Sequence, residues 1–507
     1  MKKRKKIILG SITGVLALAL AGGGFWAYKT FVPQETPIDK NATIASNFYQ
    51  AVNKEWLLKA KIPVDSPSID SFYTLDEDVK GKLKKDIKNL GEGKESSDIT
   101  GMSEFITFYK AASDYKQREK DGLEPLKPYL KEIEDIKDLN DLANKSASLT
   151  DKGIPLPFGY DVGTNAENTS QKQIQLSPPS ILLPDVSIYK DEASKKQYLT
   201  PIETATQKAL EMLGYSEKNS KRIVKEALEF DEIIAKYSLS NEEMSESKNL
   251  VHPKTAEEIN AYSGSFKLYD VIKGIMGRDL ETINVPNTKY FENYSKVVNQ
   301  DNFSKIKSWM LVQEAMAASN SLTEDYRLNF ASISMAIMGT QKPVSKEDTV
   351  YEMSVHLFSD VMSVYYGRKY FGEEAKTDVT GMIDKIKNVY RGRLQKNNWL
   401  TEGTRNKAIE KLDKMKVFVG YQEDVDPGTK ELHLDPNKSF FELSEDIAQF
   451  GKRYTIDHFD DPIDKNKWSG SAFDINAYYN PESNSINFPA GILQAPFYDK
   501  NQSTEKN

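Results

Sequence analysis

The sequence predicts a mainly α protein with minor β, held to a membrane by its N-terminus. Three observations predict it. Apolar residues recur at helical spacing through most of residues 74–412. Strand-like alternation is confined to short stretches, most clearly between Ile475 and Phe488. An uncharged run of 22 residues, Ile7 to Tyr28, follows the basic residues Lys2, Lys3, Arg4, Lys5 and Lys6.

The uncharged run is long enough to span a bilayer as a helix. Phe25, Trp26 and Tyr28 lie at its far end, where interfacial aromatics belong, and Lys29 closes it. The positive-inside rule leaves the N-terminus in the cytoplasm and the bulk of the chain outside. Residues 1–29 are therefore expected to be a basic cytoplasmic end and a single-pass anchor in the cell membrane. The alternative is a signal peptide cleaved near Ala19-Leu20-Ala21, with secretion of the rest. Of the 68 basic residues, six fall within 1–29, leaving 62 against 75 acidic ones. A body this acidic excludes general nucleic-acid binding. There is no cysteine, so neither a disulfide nor a thiolate metal site can form.

Residues 30–46, with Pro33 and Pro37, read as a linker. A helix is expected from Thr74 to Leu90, with Leu75, Val79, Leu83, Ile87 and Leu90 on one face, a Thr74–Glu77 capping box and Gly91 as its stop. Lys82, Lys84, Lys85 and Lys88 read as its solvated face. Phe105, Phe108, Ala112 and Tyr115 mark a second helix, and Leu126, Leu130, Ile133 and Ile136 a third. Five prolines break Gly153–Tyr189 into short strands and loops. Helices return over Ile202–Leu213 and Asn219–Tyr237, followed by a Ser240–Glu243 capping box. Glu281–Val297 looks irregular, and helical pattern then dominates from Phe303 to Leu412. Thr401 or Thr404 is placed to cap the last of these helices, with Ala408, Leu412 and Met415 facing inward. Phe48 and Trp56 read as core aromatics.

Near the end, Ile475, Ala477 and Tyr479 alternate with Asn476 and Tyr478. Asn480-Pro481-Glu482-Ser483-Asn484 is turn chemistry, and Ser485–Phe488 resumes the alternation. The pattern is a β-hairpin, ended by Pro489-Ala490-Gly491.

Little else carries chemistry. The histidines are His252, His356, His433 and His458, and no two stand at the i, i+4 spacing that turns both rings toward one metal. Asp457, Asp460, Asp461 and Asp464 lack calcium-loop alternation and read as a solvated loop. Ser245-x-x-Lys248 has none of the companion motifs of serine acyl-enzymes. Gly91-Glu92-Gly93-Lys94 is not a phosphate loop.

The hairpin text, NAYYNP from Asn476 and NFPAGILQAPFYD from Asn487, closely resembles the neprilysin-like M13 family of zinc metallopeptidases, in its bacterial endopeptidase O type. NFYQAVNKEWLLKAKIPVD from Asn47, ILLPDVSIY from Ile181 and NWLTEGTRNKAIEKLDKMKVFVGY from Asn398 resemble the same family. The resemblance implies a large helical lobe, over residues 47–460, and the first strands of a thermolysin-like zincin lobe, over 461–507. It implies that Asn476 and Ala477 hold the backbone of a bound peptide substrate. It also implies a catalytic zinc, held on a helix with HExxH that follows this motif in the family and does not occur in these 507 residues. The expectation is an N-terminal portion of a zinc metalloendopeptidase, with no catalytic or metal-ligating residue of its own and inactive as it stands. The alternative is a non-catalytic, surface-anchored protein that binds peptides or proteins.

Overall fold

The computed structural model describes residues 38–503. The run 7–28, read as a membrane anchor, lies outside the described residues. Among the described residues no helix is long and apolar enough to cross a membrane.

Helices dominate. Helix α1 (Phe48–Lys59) is capped by Asn47, which accepts from the Gln50 N–H. Helix α2 (Ser71–Gly91) buries the predicted face of Leu75, Val79, Leu83, Ile87 and Leu90 and stops at Gly91. Its start differs from expectation. Asp70, not Thr74, is the cap and accepts from the Tyr73 N–H at 2.7 Å, while the Thr74 hydroxyl donates to the Asp70 carbonyl. Helix α3 (Met102–Ser113) follows. Helix α4 (Glu192–Met212) begins well before the expected Ile202 and runs through Pro201. Tyr198 before the proline and Ala205 and Ala209 after it are all buried, and that packing outweighs the lost backbone hydrogen bond. Helix α5 (Glu217–Tyr237) buries Ile223, Ala227, Phe230 and Ile234, and the Ser240–Glu243 capping box forms beyond it.

Two sheets sit among the helices. The first joins strands β1 (Gly159–Thr164) and β2 (Lys172–Ser177) as a hairpin, with β3 (Pro253–Lys254) and β4 (Ile283–Asn284), in the order β1-β2-β4-β3. The second joins β5 (Lys416–Gly420), β6 (Tyr478–Asn480) and β7 (Ser485–Pro489) in the order β5-β7-β6. β5 and β7 are parallel and in register from Lys416↔Ser485 to Gly420↔Pro489. The hairpin strands therefore share a sheet with residues that precede 461.

The largest core draws on residues 126–337 together with Phe441 and is built around Trp309 of helix α6 (Phe303–Ala317), with Tyr198, Phe230, Tyr290, Tyr294 and Tyr326. A second core joins α2 and α3 to helices α7 (Lys346–Leu357), α8 (Ser359–Tyr366) and α11 (Phe440–Asp457). A third, much smaller, packs helix α9 (Gly372–Gln395) on the second sheet through Ala375, Val379, Ile383, Val419 and Tyr498. Helix α10 (Glu402–Asp413) is capped by Thr401 and buries Leu412. Phe48 and Trp56 belong to none of these cores and are 65% and 41% exposed.

Where α6 meets α11, Glu314 lies beside Glu445 and Lys452. Burial pushes the Glu314 carboxyl up to about 8, with the Glu445 charge adding to the rise, and pushes Glu445 up to about 7. The folded protein therefore holds these protons more tightly than the unfolded chain. Their contribution to stability is complete below the unfolded carboxylate range and is lost as pH rises through about 7 to 8. Urea denaturation is expected to show stability falling between about pH 4.5 and 8. Glu314→Gln should remove much of that fall, on the order of 2 kcal/mol. An equally steep fall in the variant would refute the assignment.

Candidate functional site

Strand β6 is the outer strand of its sheet. Its ladder with β7 begins at Tyr478↔Asn487 and ends at Asn480↔Ser485. Asn476 and Ala477 come just before the first paired residue, and both are exposed. They extend the edge strand with backbone groups outside the ladder. The Asn476 side chain accepts from the Ala477 N–H at 2.8 Å, which fixes the peptide plane between them.

The hairpin turn is held at several points. Asn484 adopts the left-handed conformation, φ 49, which Asn tolerates better than most residues. It accepts from the Tyr479 hydroxyl at 2.9 Å and donates to the Lys411 carbonyl at 2.9 Å. Its own carbonyl accepts from the Lys416 N–H at 2.9 Å, tying the turn to the start of β5. At the tip, Glu482 accepts from the Thr164 hydroxyl at 2.7 Å, so the turn touches the end of β1.

The approach to Asn476 is fixed from behind. Ser471 and Asp474 close a tight loop: the Ser471 N–H donates to Asp474 Oδ2 and the Asp474 N–H to the Ser471 carbonyl. The Ala472 N–H donates to Ser363 Oγ of α8 at 2.8 Å, and the Ala472 carbonyl accepts from the Gly491 N–H at 2.8 Å. Gly491 is required for space. A Cβ there would lie 2.5 Å from the Phe473 carbonyl oxygen. Burial raises the Asp474 carboxyl, against the pull of the Ser471 N–H and, less, of His356. Beyond the hairpin, Gln494 donates to the Tyr366 hydroxyl at 2.7 Å and accepts from Lys82 Nζ at 3.2 Å, joining this stretch to α8 and α2.

Two models of peptidase family M13 match the chain, one over residues 44–422 and the other over 476–507, so the exposed pair opens the second match. The chain belongs to peptidase family M13. It is 34% identical over 470 residues to a neutral endopeptidase of Lactobacillus helveticus, covering 92% of this chain and 72% of that one. A neutral endopeptidase of Lactococcus lactis subsp. cremoris is 32% identical over 469 residues, covering 92% and 74%. Among solved structures, PepO from Lactobacillus rhamnosis superimposes with TM-score 0.86 at 25% identity, covering 91% of this chain and 73% of that one. A Mycobacterium tuberculosis zinc metalloprotease bound to an inhibitor gives TM-score 0.80 at 21% identity, covering 92% and 70%, and shares the fold. M13 members are zinc-dependent metallopeptidases that act on peptides.

The described residues do not make a zinc site. Among the described residues no three His, Asp or Glu side chains gather where they could hold a metal ion. The four histidines sit on separate elements. The His252 backbone N–H is tied to Asn284, and His356 lies in the last turn of α7. The His433 side chain is 84% exposed beside Glu104, and His458 stacks on Tyr454 at 4.0 Å. HExxH does not occur in the 507 residues. No step through zinc is therefore assigned to this chain.

Proposed function

We propose that this M13 chain supplies the substrate-holding edge and the helical body of a zinc metalloendopeptidase, and that Asn476 and Ala477 hold the backbone of an extended peptide. One observation carries the reading: an exposed two-residue extension of an edge strand, anchored from behind and left out of its own ladder. An extended peptide can pair with such an edge, and an Asn side chain offers it both a donor and an acceptor. The zinc chemistry expected of an M13 enzyme falls to residues outside these 507. Residues 1–29 act as a membrane anchor with the body outside, secretion after cleavage being the alternative. Retention in membranes after a carbonate wash tests that placement.

The test of the site is fluorescence anisotropy with a labelled, unstructured decapeptide and the 507-residue chain. Binding is expected, and Asn476→Ala should weaken it about tenfold, the effect of losing one or two hydrogen bonds to the peptide backbone. Equal affinity in the variant would remove Asn476 from the site. The same samples, supplied with zinc, are expected to bind less than one equivalent and to leave the peptide intact. Stoichiometric zinc with chelator-sensitive cleavage would place a metal centre within the chain.

A further inference from the structure

Strand β1 is an outer strand of the first sheet, as β6 is of the second. It pairs with β2 along its whole length, from Gly159↔Ser177 to Thr164↔Lys172. Among the described residues no other backbone bond reaches 159–164, so one side of β1 is open. Tyr160 and Val162 pack on the largest core, while Asp161 between them is exposed. The Val162 N–H donates to Asp161 Oδ1 at 2.8 Å. The Ala477 N–H is met by the Asn476 side chain in the same way and at the same 2.8 Å. On each edge one N–H is thus covered by the side chain just before it, a contact that a pairing peptide replaces.

The two open edges meet. Thr164 ends β1, and its hydroxyl donates to Glu482 in the turn that follows β6. The turn between β1 and β2 is held to the stretch that leads into β6. The Ile463 N–H donates to the Ser170 carbonyl at 3.2 Å, and Lys465 Nζ to the Thr169 hydroxyl at 2.6 Å. The junction is acidic. Among the described residues neither Asp161 nor Glu482 has a cationic partner. Lys172, opposite Thr164 in the ladder, turns instead to the His458 carbonyl. Protein stands close enough around exposed Asp161 to raise its carboxyl, against the pull of the Val162 N–H alone.

We infer that β1 is a second strand-pairing edge, which takes the basic distal part of the same extended peptide that Asn476 and Ala477 hold. Continuity names the occupant. A peptide that lies along β6 toward the hairpin tip arrives at Thr164, where the open side of β1 starts. Charge names its chemistry. Asp161 and Glu482 favour lysine or arginine in that part and repel acidic residues. An acid on an open edge also keeps unrelated strands away, so the edge is selective rather than merely exposed. At ~3.3 Å per residue, a peptide that spans both edges needs more than about ten residues, so β1 acts on long substrates. The second contact gains from proximity once the first is made. The inference rests on the proposed role of Asn476 and Ala477 and concerns only the peptide beyond the part they hold.

The experiment is fluorescence anisotropy with the 507-residue chain and three labelled peptides. They are the decapeptide used for Asn476, and that decapeptide extended by about six alternating threonine and lysine residues at its N-terminus or at its C-terminus. One extension is expected to tighten binding about tenfold and the other to leave it unchanged, because a peptide paired with β6 reaches the hairpin tip with one end only. Asp161→Lys should abolish the gain at unchanged far-UV circular dichroism and leave decapeptide affinity as it was. N-methylation of one alternate set of residues in the effective extension should also abolish the gain, and of the other set should not, because successive N–H groups of a paired strand point to opposite sides. No gain from either extension overturns the inference. So does an equal gain from both, which is attraction by an acidic surface at large, and so does a gain that survives Asp161→Lys or both sets of N-methylation. Asn476→Ala should weaken the decapeptide and the extended peptide by the same factor. A decapeptide indifferent to Asn476→Ala refutes the role of Asn476, whereas one that depends on it but gains nothing from extension refutes only the role of β1.

Discussion

Asp231→Ala is expected to lower the stability of the helical body by about 4 kcal/mol, or to prevent it from folding. Asp231 is fully buried on α5. It accepts from the Leu182 N–H with both oxygens, at 2.9 and 3.0 Å, from the Tyr189 hydroxyl, and from Trp309 Nε1 at 3.3 Å. One carboxylate thus joins the loop 182–189, α5 and α6. Burial pushes it up to about 7, against the pull of the Tyr189, Leu182 and Trp309 donors. Removing it leaves three buried donors without an acceptor, each costing about 1–3 kcal/mol. The methyl group also leaves a cavity beside Trp309, the largest fully buried side chain. Asp231→Asn keeps one acceptor but turns an NH2 group toward the same donors, so an intermediate loss is expected. Urea denaturation of both variants is the check. A loss below about 1 kcal/mol in the alanine variant would mean that water replaces the carboxylate.

The helices were legible in the sequence wherever one face packs and the rest is wet. The stripe of α2 and the buried face of α5 follow directly from apolar spacing, because local periodicity and tertiary burial agree there. Pro201 misleads because a local rule about one hydrogen bond is overridden by burial on both sides of it. Phe48 and Trp56 mislead because residue type favours burial only on average, and helix α1 packs neither ring into a core. At the site, the β6–β7 hairpin was legible because its two strands are separated only by a turn. The pairing of β7 with β5 was not, since Lys416 and Ser485 are distant in sequence and parallel pairing leaves no turn signal. Ser363 gave no signal: a small polar residue in an apolar helix means nothing until the Ala472 N–H reaches it. Gly491 stood in the hairpin motif, but only as an ending, and its reason for being glycine is across space.

That reason makes the second large effect. Gly491→Ala is expected to cost about 3 kcal/mol and to weaken decapeptide binding at least as much as Asn476→Ala. The new Cβ would lie 2.5 Å from the Phe473 oxygen, 2.6 Å from the Phe473 carbonyl carbon and 2.7 Å from the Asp474 oxygen. All three are backbone atoms, so no side-chain rotation relieves the contact. Gly491 does not need the left-handed conformation, since its φ is outside the range that L residues avoid. The loss is therefore one of space, and it falls on residues 473–474, two positions before Asn476. To admit the methyl group the loop must lift, breaking the bonds from Ala472 to Ser363 and to Gly491 that hold the approach to the edge strand. Gly81→Ala on α2 is the control. A Cβ at Gly81 meets nothing within 4 Å, and that variant should gain about 0.5–1 kcal/mol from helix propensity alone. Opposite signs in the two variants, with binding lost only in the first, tie the position of Asn476 to the packing of a glycine fifteen residues later. If Gly491→Ala binds the decapeptide as tightly as wild type, the loop has another support, and the edge strand is held by its turn at Asn484 instead.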